Sequence, residues 1–245
     1  MKNFALSILF ALLAISGLST VANAGMHCPP GPSGCLFYGG DFDPNNPNAN
    51  GLANENDAID GGNPYGAATY QNFVVDSSGW NVTGLFTNNL SGLNPATGYW
   101  EVRSGISEGN GGTLVASGTG AVTNTPTGRS GFGFTEYQNE VDGLNITLAP
   151  GTYWFAVVPQ DPNNPNRSFN SNSFGLNAVG TQISNDQFFN SALFGANFTN
   201  ANNEGVFPTF SGGVEGTEMP EPSSIVMLGC GLIAGAGVVR HRLSP

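Results

Sequence analysis

Between residues 70 and 158 the chain alternates apolar and polar residues in short runs, and turn residues separate the runs. A period of two belongs to a strand, whose successive side chains point to opposite faces, whereas a helix needs a period near 3.6. Phe73-Val74-Val75 is a short apolar run. Trp80-Asn81-Val82-Thr83-Gly84-Leu85-Phe86 places Trp80, Val82 and Phe86 on one face. Tyr99-Trp100-Glu101-Val102-Arg103 turns Trp100 and Val102 inward and Glu101 and Arg103 outward. Asn110-Gly111-Gly112 is a turn signal, and Thr113-Leu114-Val115-Ala116 after it predicts a hairpin with the preceding strand. Residues 144–148 alternate most cleanly, and Pro150-Gly151 turns them into residues 152–158, which are apolar enough for a central strand. No amphipathic helix stands out between Gly25 and Thr217. Short strands spaced by turns predict an all-β, jelly-roll-like β-sandwich over residues 70–217. The Phe-rich stretch 188–210 is expected to be irregular structure over one sheet, closed by a strand near residues 206–210.

Only 9% of the residues are charged, against an average of about 25%. Disorder usually goes with few aromatics, and here aromatics reach 11% and sit inside the strand patterns. The reading is a folded, loop-rich protein whose surface is polar through Asn, Ser, Thr and Gly. Between Gly25 and Met219 the only basic residues are Arg103, Arg129 and Arg167, against sixteen acidic ones. A body that acidic repels nucleic acid and anionic lipid. It suits calcium, neutral glycans or solubility alone.

The ends carry addresses. Lys2, an apolar run over 4–18 and Ala22-Asn23-Ala24 form a secretory signal helix, residues 1–24, cut by signal peptidase after Ala24. Residues 25–69 form an Asn/Gly/Pro-rich segment. In it, Cys28 and Cys35 bracket a Pro/Gly turn and are expected to form a local disulfide in an oxidising compartment. Residues 223–239 of the tail, 218–245, hold no charge. As a helix they would measure about 25 Å, near the lower limit for crossing a bilayer. Arg240 and Arg242 then act as a stop-transfer cluster with a cytoplasmic C-terminus.

The tail, with Pro220-Glu221-Pro222, a short apolar helix and a basic cluster in that order, resembles the PEP-CTERM sorting signal of Gram-negative bacteria. That resemblance implies recognition by an exosortase, removal of the helix after a transient stay in the inner membrane, and association with exopolysaccharide or biofilm matrix. The body resembles a recurring bacterial surface domain of unsettled function. The stretches that carry this likeness are Gly51-Leu52-Ala53-Asn54-Glu55, Trp100-Glu101-Val102-Arg103-Ser104-Gly105, Gly128-Arg129-Ser130-Gly131-Phe132-Gly133-Phe134, Gly151-Thr152-Tyr153-Trp154 and Arg167-Ser168-Phe169-Asn170. No active-site residue follows from it.

One hexapeptide recurs unaltered: Asp43-Pro44-Asn45-Asn46-Pro47-Asn48 and Asp161-Pro162-Asn163-Asn164-Pro165-Asn166. Both copies are expected to be exposed turns. The first has alternating oxygen donors in Asp41, Asp43 and Asn45, with Asn54, Asn56, Asp57 and Asp60 after it. It reads either as a calcium site or as an ordinary Asx-turn loop. No catalytic triad is in prospect, because His27 is the only histidine between the two terminal segments. Glu101, Glu108, Glu136 and Glu140 are available for glycoside hydrolysis, but spacing alone does not pair them. A non-enzymatic surface or matrix protein ranks first. A carbohydrate-binding module using Trp80, Trp100, Tyr137 and Trp154 comes second, and a glycoside hydrolase is a remote third.

Overall fold

A computed structural model describes Cys28, residues 34–60 and residues 65–219. Ala22, Ala24, Pro220, Glu221, Pro222, segment 223–239, Arg240 and Arg242 lie outside the described residues. Within them, no helix is long and apolar enough to cross a membrane.

The protein is all-β, built from two antiparallel sheets. Strand β4 (Trp80–Ser91) runs through the first sheet. Along one side it pairs with β8 (Phe134–Leu148), which carries β7 (Thr123–Gly131) beyond it. Two strands share its other side end to end, β14 (Gly212–Glu218) and β10 (Ser168–Ser173). Outside β14 lies β1 (Cys35–Tyr38), while β2 (Gly51–Ala53) and β13 (Thr209–Phe210) pair with β10. The second sheet has the order β12 (Ala196–Asn200), β11 (Phe188–Ser191), β3 (Ala67–Val75), β9 (Gly151–Gln160), β5 (Thr97–Ser104) and β6 (Thr113–Ala121). The expected hairpin is β5–β6, and β9 is central, flanked by β3 and β5.

Several sequence expectations shift here. The boundary at residue 70 falls inside β3, and β1 and β2 come from the Asn/Gly/Pro-rich segment. Those two short strands satisfy backbone groups that β14 and β10 would otherwise leave open. The Phe-rich stretch supplies sheet strands β11 and β12, the strand expected near 206–210 is the short β13 at Thr209–Phe210, and β14 follows it. Consecutive Phe188 and Phe189 are both buried, Phe188 with Tyr70 and Trp154, Phe189 with Ala53 and Ala67. Burial on both faces erases the period of two.

A bulge between Val82 and Gly84 changes the register of β4. Trp80, Val82 and Leu85 therefore face the inter-sheet core, while Phe86 turns to the opposite face and packs with Tyr38 and Cys28. Phe86 does not share the face of Trp80 and Val82. Cys28 and Cys35 are joined by a disulfide, with Cα atoms 5.0 Å apart.

The inter-sheet space has an apolar part and a polar part. The apolar part gathers Phe37, Phe73, Trp80, Leu85, Phe155 and Val157. In the polar part, fully buried Asn54 donates from Nδ2 to the Val157 carbonyl (2.8 Å) and accepts the Thr69 N–H (3.3 Å). Asn89 donates to Ser168 Oγ (2.8 Å), and Asn170 donates to Thr69 Oγ1 (2.9 Å). Asparagine is thus interior material here as well as surface.

The hexapeptide copies fold alike. Asn46 N donates to the Asp43 carbonyl (3.1 Å) and Asn48 N to Asn46 Oδ1 (3.0 Å). Asn164 N donates to the Asp161 carbonyl (2.9 Å) and Asn166 N to Asn164 Oδ1 (3.0 Å). Both are exposed turns with Asn side chains closing the backbone.

Candidate functional site

The three arginines of the body do not face solvent as free cations. Each is bound to a buried glutamate. On β5, Glu101 is 1% exposed and accepts from Arg103 Nε (2.7 Å), Tyr70 O–H (2.5 Å) and Tyr99 O–H (2.8 Å). Period two correctly sets Glu101 opposite Val102, yet Glu101 does not point into water. The outer face of the second sheet carries its own layer of Tyr70, Tyr99, Ile106, Trp154 and Phe198, and Arg103 lies over the Phe198 ring at 5.2 Å. On β8, buried Glu136 accepts from Arg129 Nε (2.5 Å), Thr127 Oγ1 (2.7 Å) and Ser171 Oγ (2.5 Å). Glu55 takes Arg167 and the Ser168 N–H. Burial pushes the Glu55 carboxyl up to about 7, against the pull of Arg167.

Among the expected calcium ligands, Asp41 accepts from Tyr38 O–H (2.6 Å) and Arg129 Nη1 (2.8 Å) with one oxygen and from Asn177 Nδ2 (2.7 Å) with the other. Arg129 already supplies it with a positive charge. Asp43 Oδ1 accepts the Asn45 N–H (2.9 Å), closing its own turn. Glu108 accepts the Asn200 N–H (2.7 Å).

A carboxylate trio converges elsewhere. Glu140 and Asp142 on β8 and Glu215 on β14 each offer an oxygen within 4.8 Å of the others. Asp142 and Glu215 crowd over Gly84, where a Cβ would stand 2.9 Å from Asp142 Oδ1 and 3.2 Å from Glu215 Oε2. Burial first, then the charge and hydrogen bond of Glu140, then Asp142, raise Glu215 to about 8 from its ordinary 4.5. The folded protein therefore holds this proton more tightly than the unfolded chain. The resulting stability is full below pH 4.5 and is lost as pH rises to about 8. After a discount for solvent around Glu215, the loss is on the order of 2 kcal/mol. Urea titrations at pH 5 and pH 8 should show it, and Glu215→Gln should shrink the difference to the share that the raised Glu55 carboxyl contributes.

The aromatic residues that sequence offered for sugar rings are mostly interior. Trp80 stacks on Phe73 with centroids 5.6 Å apart, Trp154 is buried with Phe188, Trp100 packs against the inter-sheet core, and Tyr137 is half-buried. A groove of about 240 Å³ is lined instead by Asn50, Gly51, Leu90, Phe132, Phe134 and Phe169. Phe132 is 66% exposed at the tip of the β7–β8 hairpin. It has φ 53° and Gly133 has φ 85°, as a two-residue turn of the type I′ kind requires. Asn or Gly is usual at such a position, and a bulky side chain there is costly. A Phe between two glycines, Gly131-Phe132-Gly133, was the available sequence signal. Its rings do not form a flat platform: Phe134 and Phe169 meet edge to face at 63°.

No family model, no curated protein and no solved structure matches this chain.

Proposed function

We propose that this chain is an exported, non-enzymatic surface or matrix protein of a Gram-negative bacterium, with a jelly-roll-like sandwich as its working part. Signal peptidase removes residues 1–24, and an exosortase acts at Pro220-Glu221-Pro222, releasing the body to associate with exopolysaccharide. The observation that supports it best is the Cys28–Cys35 disulfide just beyond the signal, with Cys28 buried against Tyr38 and Phe86. Such a bridge belongs to an oxidising compartment. The candidate hydrolytic carboxylates Glu101 and Glu136 are each neutralised by an arginine and hold hydroxyl donors as structural groups do. Mass spectrometry of the native protein should find an N-terminus at Gly25 and no 223–239 segment. Replacing Pro220, Glu221 and Pro222 by Ala should leave the tail in place, and normal processing of that variant refutes the exosortase step.

The groove favours a second reading, a neutral-glycan binder. Its observation is Phe132, a strained and exposed ring beside the polar Asn50. A bacterial polysaccharide array should then give signals that Phe132→Ala removes. A flat array favours the matrix reading alone.

A further inference from the structure

The loop that follows β2 carries Glu55, Asp57 and Asp60, and it is pinned from two sides. Glu55 and Ala67 exchange backbone hydrogen bonds, both 2.9 Å. Asn56 N donates to the Pro159 carbonyl (3.0 Å), Asp161 N donates to the Asn56 carbonyl (2.9 Å), and Ala58 N donates to the Asn164 carbonyl (3.1 Å). The second hexapeptide turn is thus a buttress for this acidic loop. Within the loop, Asp57 Oδ1 accepts from the N–H groups of Ile59 (2.7 Å) and Asp60 (2.5 Å), which fixes the orientation of its carboxylate.

The other oxygens of this pair are the anomaly. Asp57 Oδ2 and Asp60 Oδ2 are buried and have no hydrogen-bond partner among the described residues, in residues that are each 2% exposed. Both face one guanidinium, that of Arg167, at 3.9 and 4.0 Å, beyond hydrogen-bond reach. Arg167 is committed to Glu55 and lies over the rings of Phe169 and Phe194, at 5.5 and 5.6 Å. With all three carboxylates ionised, the one guanidinium leaves two negative charges without a counter-charge among the described residues. Buried charges persist when paired or when they coordinate a metal. A divalent cation brings this group to neutrality.

We propose that Asp57 and Asp60 bind a hard divalent cation through their Oδ2 atoms, beside the Glu55–Arg167 pair. The donors are oxygens only and lie on a loop, which suits calcium, an ion that takes carboxylates, carbonyls and water in flexible geometry. This site is distinct from Asp41, Asp43 and Asn45 and from the Glu140–Asp142–Glu215 trio, and it does not depend on the export reading.

The test uses the mature protein stripped with EDTA and titrated with calcium, read by calorimetry and thermal melting. Calcium a hundredfold above its Kd should raise Tm by roughly 5–10 °C. Asp57→Asn/Asp60→Asn should lose the heat and the Tm response. In EDTA that variant should melt at or above wild type, because the amide oxygen introduced at position 57 still holds the turn and two buried charges are gone. If the double variant fails to fold, Asp60→Asn alone decides by the same readouts. No heat and no Tm shift in the wild type overturns the proposal. So does calcium binding that survives in the double variant, which places the ion at another cluster.

Discussion

Arg129→Met should destabilise the protein by ~3–5 kcal/mol, the range for stripping one partner from a buried ion pair. The Glu136 side chain is fully buried, and among the described residues Arg129 is the one cation that touches it. The same guanidinium reaches Asp41 at 2.8 Å. Met retains most of the apolar stem, so the variant removes charge and hydrogen bonds more than packing. Two carboxylates then lose their counter-charge, and the remaining donors, from Thr127, Ser171, Tyr38 and Asn177, carry no positive charge. Arg129→Met/Glu136→Leu should recover about half of the loss, because a matched apolar pair removes the buried charge along with its partner. Urea midpoints of the wild type and both variants measure it. A cost below ~1 kcal/mol for the single variant means that the pair is solvated like a surface bridge.

The strands were legible where each had alternating residues and a clear turn beside it, as in residues 99–103 and 144–148, and the strand at 113–116 was legible from the Asn110-Gly111-Gly112 turn before it. Both hexapeptide turns were legible too, since Asx chemistry is local. Three things were not. The first is which faces are covered twice. Alternation assigns Glu101 a side of its strand but is silent about the Tyr70, Tyr99 and Phe198 layer that buries that side. The second is Gly-rich β14, whose pattern carries little apolar signal because its glycines give way to neighbours. A Cβ on Gly213 would stand 2.4 Å from the Phe86 ring and 2.7 Å from the Phe37 carbonyl. The third is pairing at long range. Arg103 and Glu101 lie two positions apart and Arg129 and Glu136 seven, but Arg167 and Glu55 are separated by 112. The same distance hid the acidic loop, whose meaning depends on Arg167 and on the turn at residues 161–166. Composition showed that three cations face many carboxylates. It did not show that all three are internal, which leaves the surface of the described body without an unpaired arginine.

Phe73→Ala should cost ~3–5 kcal/mol, the usual range for truncating a buried Phe. Phe73 is fully buried and meets four rings: Phe37, Tyr153 and Phe155 at 5.9 Å each, and Trp80 stacked at 5.6 Å. These neighbours come from three strands across both sheets, β1, β4 and β9, so the side chain ties the layers together. The cavity cannot close cheaply. Each surrounding ring is fixed to a paired strand, and moving it inward means sliding a ladder. That argues for the upper half of the range, because cost rises with the cavity that remains. Phe132→Ala is the internal contrast. Its ring is mostly in water, and removing it should change stability by no more than ~0.5 kcal/mol, with a gain open to it from relief at φ 53° only if the smaller residue tolerates that backbone better. If Phe73→Ala unfolds the body while Phe132→Ala leaves its urea midpoint in place, then one ring serves the fold and the other is free for a ligand, so any glycan signal lost in Phe132→Ala reports on the groove and not on a damaged sandwich.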